Sequence, residues 1–275
     1  MFDGNTRAKV RQSVEAYKIR INPHARVGIL KQGYLLDKRA HPETGMKIIT
    51  GTKKELASRA ASILSMEIAR IAAEKGIAVV GVPGGRSAAA IFESLSKNNV
   101  PWKKVHLFMV DERMVPIHSP CSNFRILSDT LLKKLGDEFP EENAHHFLND
   151  ADEAKALASY NRQLASRGGR LDIVLLSAGE DGHVASLFPY HPSIRDEGKR
   201  FIAVSDSPKP PAKRVSASRK LLAKSRVAIL MFAGKEKKAA FRAFIAADDP
   251  IALPAALVKS IPAAYVLTTE GRSGL

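Results

Sequence analysis

The chain has 275 residues, 45% of them hydrophobic and 26% charged, the make-up of a soluble globular protein sized for one large domain or two small ones. No apolar run approaches the roughly 18–20 residues that cross a bilayer, and a single cysteine, Cys121, excludes an internal disulfide and fits a reducing compartment such as the cytoplasm. With 43 Lys+Arg against 28 Asp+Glu, the formal charge of +15 draws anions to the surface. The basic residues are scattered, aromatics are only 6%, and no zinc-finger spacing or zipper heptad occurs. These features weigh against nucleic acid, and no membrane is expected; a phosphorylated small molecule satisfies the same charge argument, and the identity of the anionic partner stays open.

The first 45 residues carry nine Lys/Arg, four Asp/Glu and two prolines, with no apolar run bounded by clean turn signals. They read as an extension, a helical or disordered arm with neither a secretory h-region nor the acid-free composition of a transit peptide. Met46 is an alternative start, since it directly precedes the strand-like Lys47-Ile48-Ile49-Thr50. From there, short β-rich runs alternate with helical patterns, the signature of βαβ units around a parallel sheet. A helix is expected over Lys53 to Lys75, where Leu56, Ala60, Ile63, Leu64, Ile68 and Ile71 share one face. Strands are expected at Ile77–Val82, Val105–Val110, Leu171–Leu176, Ile202–Ser205, Val227–Phe232 and Ala264–Leu267. Helices are expected at about 88–97, 123–134 and 151–167 and from Lys235 onward.

Three of these strands run at once into polar or glycine-rich loops: Pro83-Gly84-Gly85-Arg86-Ser87, Asp111-Glu112-Arg113, and Ser177-Ala178-Gly179-Glu180-Asp181-Gly182-His183. In an open α/β sheet, ligands bind beyond the carboxyl ends of the strands, so these loops should share one edge. Gly84 and Gly85 let backbone approach an anion at a helix N-terminus, with Arg86 and Ser87 adding charge and a hydroxyl; a plain turn with Ser87 as N-cap fits equally well. Asp111-Glu112-Arg113 closes a buried strand. Arg113 there either grips a phosphate in bidentate fashion or neutralises one of the acids. His183 is a natural general base with the Asp181 carboxylate beside it. Neither a His-Glu-x-x-His pattern nor a Cys/His cluster points to a metal, and Ser186 lacks the Gly-x-Ser-x-Gly setting of an acyl-serine nucleophile. The loop Ser207-Pro208-Lys209-Pro210-Pro211 is stiffened by proline and either fixes Lys209 in place or serves as a surface connector.

Taken together, Gly84-Gly85, Asp111-Glu112-Arg113-x-Val115-Pro116 with Ser122-Asn123, Asp181-Gly182-His183-x-Ala185-Ser186-Leu187-Phe188-Pro189, Ser207-Pro208-Lys209-Pro210-Pro211 and Leu253-Pro254-Ala255 resemble the 6-phosphogluconolactonase family, whose relatives include glucosamine-6-phosphate deaminase. The resemblance spans about Met46 to Glu270 and divides the chain into an extension, 1–45, and a lactonase-like domain, 46–275. It implies a doubly wound α/β fold, a mostly parallel sheet with helices on both faces, and cofactor-free hydrolysis of 6-phospho-glucono-1,5-lactone to 6-phosphogluconate in the oxidative pentose phosphate pathway. By matching position, His183 would activate water beside Asp181. Arg113, Lys209 and the Gly84-Gly85 loop with Arg86 and Ser87 would hold the phosphate, and Asp111 and Asn123 would line the pocket. The Ala-Ser-Leu-Phe-Pro continuation resembles the lactonase branch, whereas the deaminase branch has Ala-Phe-Asn-Glu-Pro. Deamination of an amino-sugar phosphate with Asp111 as proton shuttle, and a non-catalytic sugar-phosphate sensor, are the alternatives. Two departures stand out: Pro83 and Ala88 replace the family's serine and proline around the glycine loop, and Ser177 replaces a glycine.

Overall fold

The computed structural model describes residues 27–30, 34–37, 45–148 and 152–271; the rest of the N-terminal arm and the expected helix start at Ala151 lie outside them. In chain order the elements are β1 (Val27–Leu30), β2 (Tyr34–Asp37), β3 (Gly45–Thr50), α1 (Lys53–Lys75), β4 (Ala78–Val82), α2 (Arg86–Leu95), β5 (Val105–Met109), β6 (Asp111–Arg113) and α3 (Asn123–Leu127), which continues through a π turn to Leu135. There follow β7 (Ala144–His145), α4 (Glu153–Ala165), β8 (Ile173–Ser177), α5 (Pro192–Arg195), β9 (Phe201–Val204), β10 (Arg214–Ala217), α6 (Arg219–Ala223), β11 (Val227–Phe232), α7 (Lys238–Ala246) and β12 (Ala263–Thr268).

Helix α1 spans the expected residues because Thr52 and Glu55 form a reciprocal capping box at its start, which supplies about 1 kcal/mol. Among the described residues, one sheet runs in the order β1-β2-β3-β12-β11-β8-β4-β5-β7, parallel from β3 to β7, with β2 antiparallel against β3 and β1 against β2. The strands β1 and β2 lie in the segment read as an arm; their four-residue runs are too short to give a periodic signal.

The central strands β4, β8 and β11 are almost wholly apolar because both faces are covered. Along β11, Val227, Ile229 and Met231 join one core with α1 and α2, while Ala228, Leu230 and Phe232 join the other with Tyr160 of α4 and Phe241 and Phe244 of α7. This alternation is the period-two geometry of a strand, and it puts helices on both faces, as the doubly wound class requires.

A second, antiparallel sheet has the order β6-β10-β9. It corrects the sequence reading in one respect: Asp111-Glu112-Arg113 does not close β5. After Val110 the chain leaves the main sheet, and these residues pair with Arg214–Ser216 instead. Strand β4 continues through α2 to β5 on one side, while the chain after β8 leads to β11 on the other, so neighbouring strands β4 and β8 diverge. Such a switch point leaves a crevice beyond the carboxyl ends of the two strands.

Candidate active site

That crevice holds a cavity of about 150 Å³. The three loops share it as expected. Pro83, Gly84 and Gly85 come from the β4 loop, Asp111 and Arg113 from β6, and Ser177–Gly179 with His183 and Ala185 from the end of β8 and the loop after it. Asn123 at the start of α3, Arg214 and Lys237 complete the lining. A larger depression of about 340 Å³ lies over α5 and β9, but its charged lining is His191, Asp196 and Asp206, a poor match for a phosphate.

His183 and Asp181 form a dyad. His183 Nδ1 lies 2.5 Å from Asp181 Oδ1, and the His183 amide donates to the same oxygen at 3.2 Å. Burial pushes the Asp181 carboxyl up, but the hydrogen bond and charge of His183, joined by Lys209, outweigh it and bring the pKa down to about 2. A carboxylate at Nδ1 accepts a hydrogen bond from that N–H and leaves Nε2 with the lone pair of a base. The imidazole packs against Gly179, where any Cβ would collide with the ring, and its other side meets the Phe188 ring at 4.7 Å. Gly182 O accepts from Ala255 N at 2.9 Å, so the Leu253-Pro254-Ala255 segment braces the catalytic loop from behind. Ala185, beside the cavity, has a left-handed φ of 50°, a conformation that costs a non-glycine residue free energy and gathers at functional sites.

The two acids of β6 do different work. Glu112 is buried and accepts from the amides of Arg113, Asn123 and Phe124, each at 2.7 Å, and from Ser122 Oγ at 3.2 Å, which fixes the start of α3. Burial pushes its pKa up despite those amides. Asp111 accepts from Ser186 Oγ at 2.9 Å and from Asn123 Nδ2 at 3.4 Å, and lies 3.9 Å from Arg214 Nη1. Arg113 therefore does not neutralise its neighbours. Its Nη1 donates to Cys121 O at 2.8 Å in an exposed loop, and its Nε is buried with no partner among the described residues.

Of the remaining residues singled out in the sequence, Arg86 is exposed, opens α2 and lies outside the cavity lining. Ser87 is not the N-cap; Gly85 is, with no side-chain bond, so the first amides of α2 have no side-chain acceptor. Lys209 Nζ stands 3.6 Å from Glu180 Oε1 and 4.0 Å from Asp181 Oδ2, at the rim.

The sequence reading missed Arg214 and Lys237. Arg214 is only 4% exposed. Its Nε donates to Pro211 O and its Nη2 to Lys209 O and Pro210 O, clamping the proline loop, while Nη1 reaches Ser186 Oγ at 3.3 Å. Burial lowers its pKa, opposed by Asp111. Lys237 stands at the end of the turn after β11; burial and then the charge of Lys209 lower its pKa. An anion between these two lysines would relieve that repulsion. The signal for Lys237 was a fourth junction of apolar strand, Gly234 and helix. Arg214 had no local signal, since only the second sheet buries it.

The buried pair His106 and His145, 3.2 Å apart, does not line the cavity; burial, then Arg167 and His145, lower the His106 pKa to about 4. Among the described residues no cluster of His, Cys, Asp or Glu has a metal-binding arrangement, and no helix is long and apolar enough to cross a membrane.

Comparison with known proteins agrees with this geometry. The family described as glucosamine-6-phosphate isomerases/6-phosphogluconolactonase matches residues 51–266. The chain belongs to this family. A 6-phosphogluconolactonase of Borreliella burgdorferi is 36% identical over 197 residues, covering 70% of this chain and 84% of its own length. One of Synechocystis is 31% identical over 216 residues, covering 75% and 88%. The crystal structure of the Thermotoga maritima 6-phosphogluconolactonase superposes with a TM-score of 0.72 at 26% identity, covering 81% of this chain and 98% of that one. A monomeric glucosamine-6-phosphate deaminase, at 20% identity and a TM-score of 0.68, shares the fold.

Proposed function

We propose that this protein is a 6-phosphogluconolactonase, an enzyme that hydrolyses 6-phospho-glucono-1,5-lactone to 6-phosphogluconate in the oxidative pentose phosphate pathway. The observation that carries the reading is the His183–Asp181 dyad on a cavity whose other walls carry Arg113, Lys237 and the glycine loop. One side offers a base and the other an anion site, as a phosphorylated lactone requires.

His183 Nε2 takes a proton from water while the hydroxide forms a bond to C1. The tetrahedral intermediate then collapses with cleavage of the bond between C1 and the ring oxygen. That oxygen leaves with the proton held by His183 and becomes the C5 hydroxyl, and the new carboxylic acid ionises to solvent. Asp181 orients the imidazole and stabilises its cationic form. A lactone is an activated ester, so no covalent nucleophile is needed, and a positioned base contributes roughly 10²- to 10⁴-fold. The phosphate is held by the Gly84-Gly85 loop and the first amides of α2, including that of Ser87, with Arg113 and Lys237. Lys209 and Arg86 add positive charge at the rim. Binding energy from this remote group orients C1 toward His183.

The test is a stopped-flow assay of freshly generated 6-phosphogluconolactone, with spontaneous hydrolysis measured alongside and subtracted. Acceleration is expected. Ammonia released from glucosamine 6-phosphate, with no effect on the lactone, would move the protein to the other branch of its family.

A further inference from the structure

Asn123 is 2% exposed, and its side-chain oxygen is buried with no hydrogen-bond partner among the described residues. The amide cannot turn over to cure this. Its Nδ2 donates to Asp111 O at 2.9 Å and to Asp111 Oδ1 at 3.4 Å, and a flipped amide would set its oxygen against a carbonyl and a carboxylate. Oδ1 is therefore fixed as an acceptor. It is packed over Gly84, so closely that a Cβ there would collide with it, and Asn123 and Gly84 both line the cavity. The backbone of Asn123 is fixed as well, because its amide donates to buried Glu112. A buried amide oxygen without a donor is costly, and in native proteins such a group is met by a partner the cavity admits.

The partner must bring a hydrogen. A phosphate dianion brings only acceptors, so it cannot satisfy this atom. In the lining of the same cavity, Arg113 has a buried Nε donor without an acceptor among the described residues, the opposite demand. A ligand that answers both has an anionic or carbonyl oxygen on one side and a hydroxyl on the other. Resting on the lactonase reading, we propose that Asn123 is a specificity-determining residue whose Oδ1 accepts a hydrogen bond from one ring hydroxyl, at C2, C3 or C4, of the phosphorylated lactone. The orphan acceptor makes the site select for that hydroxyl rather than merely tolerate it, since a substrate lacking it leaves the oxygen unpaired in the complex.

The experiment compares kcat/KM for the parent lactone with its 2-deoxy, 3-deoxy and 4-deoxy analogues, each generated in the assay from the corresponding aldose 6-phosphate. One analogue is expected to fall about tenfold to a hundredfold below the parent, the cost of leaving a buried acceptor unmet, while the other two stay within about threefold. In Asn123→Ala, with folding checked by thermal melt, the parent should drop to the level of the disfavoured analogue and the discrimination should vanish. If wild-type enzyme hydrolyses all three analogues within about threefold of the parent, water fills the Asn123 site and the proposal is wrong. It is equally wrong if Asn123→Ala keeps the discrimination. No acceleration of the parent by folded wild-type protein would instead sink the lactonase reading, and this assignment with it.

Discussion

Two buried polar clusters, one centred on Asp172 at the amino end of the main sheet and one on Asn123 and Arg113 at the carboxyl end, are bonded to opposite degrees. At the amino end, Asp172 is fully buried just before β8. Its carboxylate accepts from Lys75 Nζ at 2.7 and 2.9 Å, from Arg170 Nε at 3.2 Å and from the Val79 amide at 2.9 Å, while its carbonyl takes the amides of Arg226 and Val227. Three strands and a helix end are tied by one residue whose bonding is complete. At the carboxyl end, Asn123 Oδ1 and Arg113 Nε are buried without partners among the described residues, the charge on Lys237 is disfavoured by burial and by Lys209, and Ala185 sits in a left-handed conformation. A buried polar cluster that satisfies itself holds a fold together, whereas one left incomplete is completed by a ligand. The contrast sorts variants at the two ends into those that unfold the protein and those that disable it.

The largest effect should come from the incomplete end. His183→Ala is expected to lower kcat by about 10²- to 10⁴-fold, the range of a positioned general base, with the thermal midpoint moving little, because the ring lines the cavity rather than a hydrophobic core. Rates within threefold of wild type would remove His183 from the mechanism.

Next comes the complete end. Asp172→Ala strips Lys75 and Arg170 of their partner and orphans the Val79 amide. The expected loss is about 2–4 kcal/mol of unfolding free energy, read by urea denaturation. Kinetic constants measured well below the melting transition should stay at wild-type values. A large change in KM with intact stability would mean the two ends are coupled and the contrast is false.

The same contrast explains what could be read in advance. Buried parallel strands and the one-sided helix α1 announce themselves, because continuous apolar runs and three-four spacing are local properties. The dyad was legible too, since Asp181 and His183 are two residues apart on one turn. The second sheet was not. Its strands β6 and β10 begin with charged residues, Asp111 and Arg214, which look like loop chemistry until the sheet itself buries them. For that reason the sequence reading passed over Arg214. Asn123 showed as a pocket residue through family resemblance alone; its unpaired oxygen exists only because Asp111 and Gly84, from two other segments, meet it in space.

A smaller effect tests whether charge at the carboxyl end serves binding alone. Lys237→Ala should raise KM by roughly tenfold to a hundredfold, the range for removing a charge-assisted bond to phosphate, with kcat within about threefold. Stability should hold or rise slightly, since the variant removes an ammonium that burial and Lys209 both disfavour. A protein that unfolds on losing Lys237 would show the lysine to be part of the scaffold.

The smallest effect expected is at Arg86, and it sharpens the boundary of the site. The sequence placed Arg86 beside the glycines as added charge for an anion. In the fold its side chain is exposed at the first turn of α2, outside the cavity lining, so solvent and salt screen it from a bound phosphate. Arg86→Ala should therefore raise KM by no more than about threefold, and that difference should shrink as ionic strength rises, the behaviour of a rim charge that steers substrate rather than holds it. The Lys237 effect, at a half-buried position, should survive the same salt. If Arg86→Ala instead matches Lys237→Ala at high salt, the arginine folds over the phosphate once substrate is bound, and the anion site extends past the cavity to the exposed face of α2.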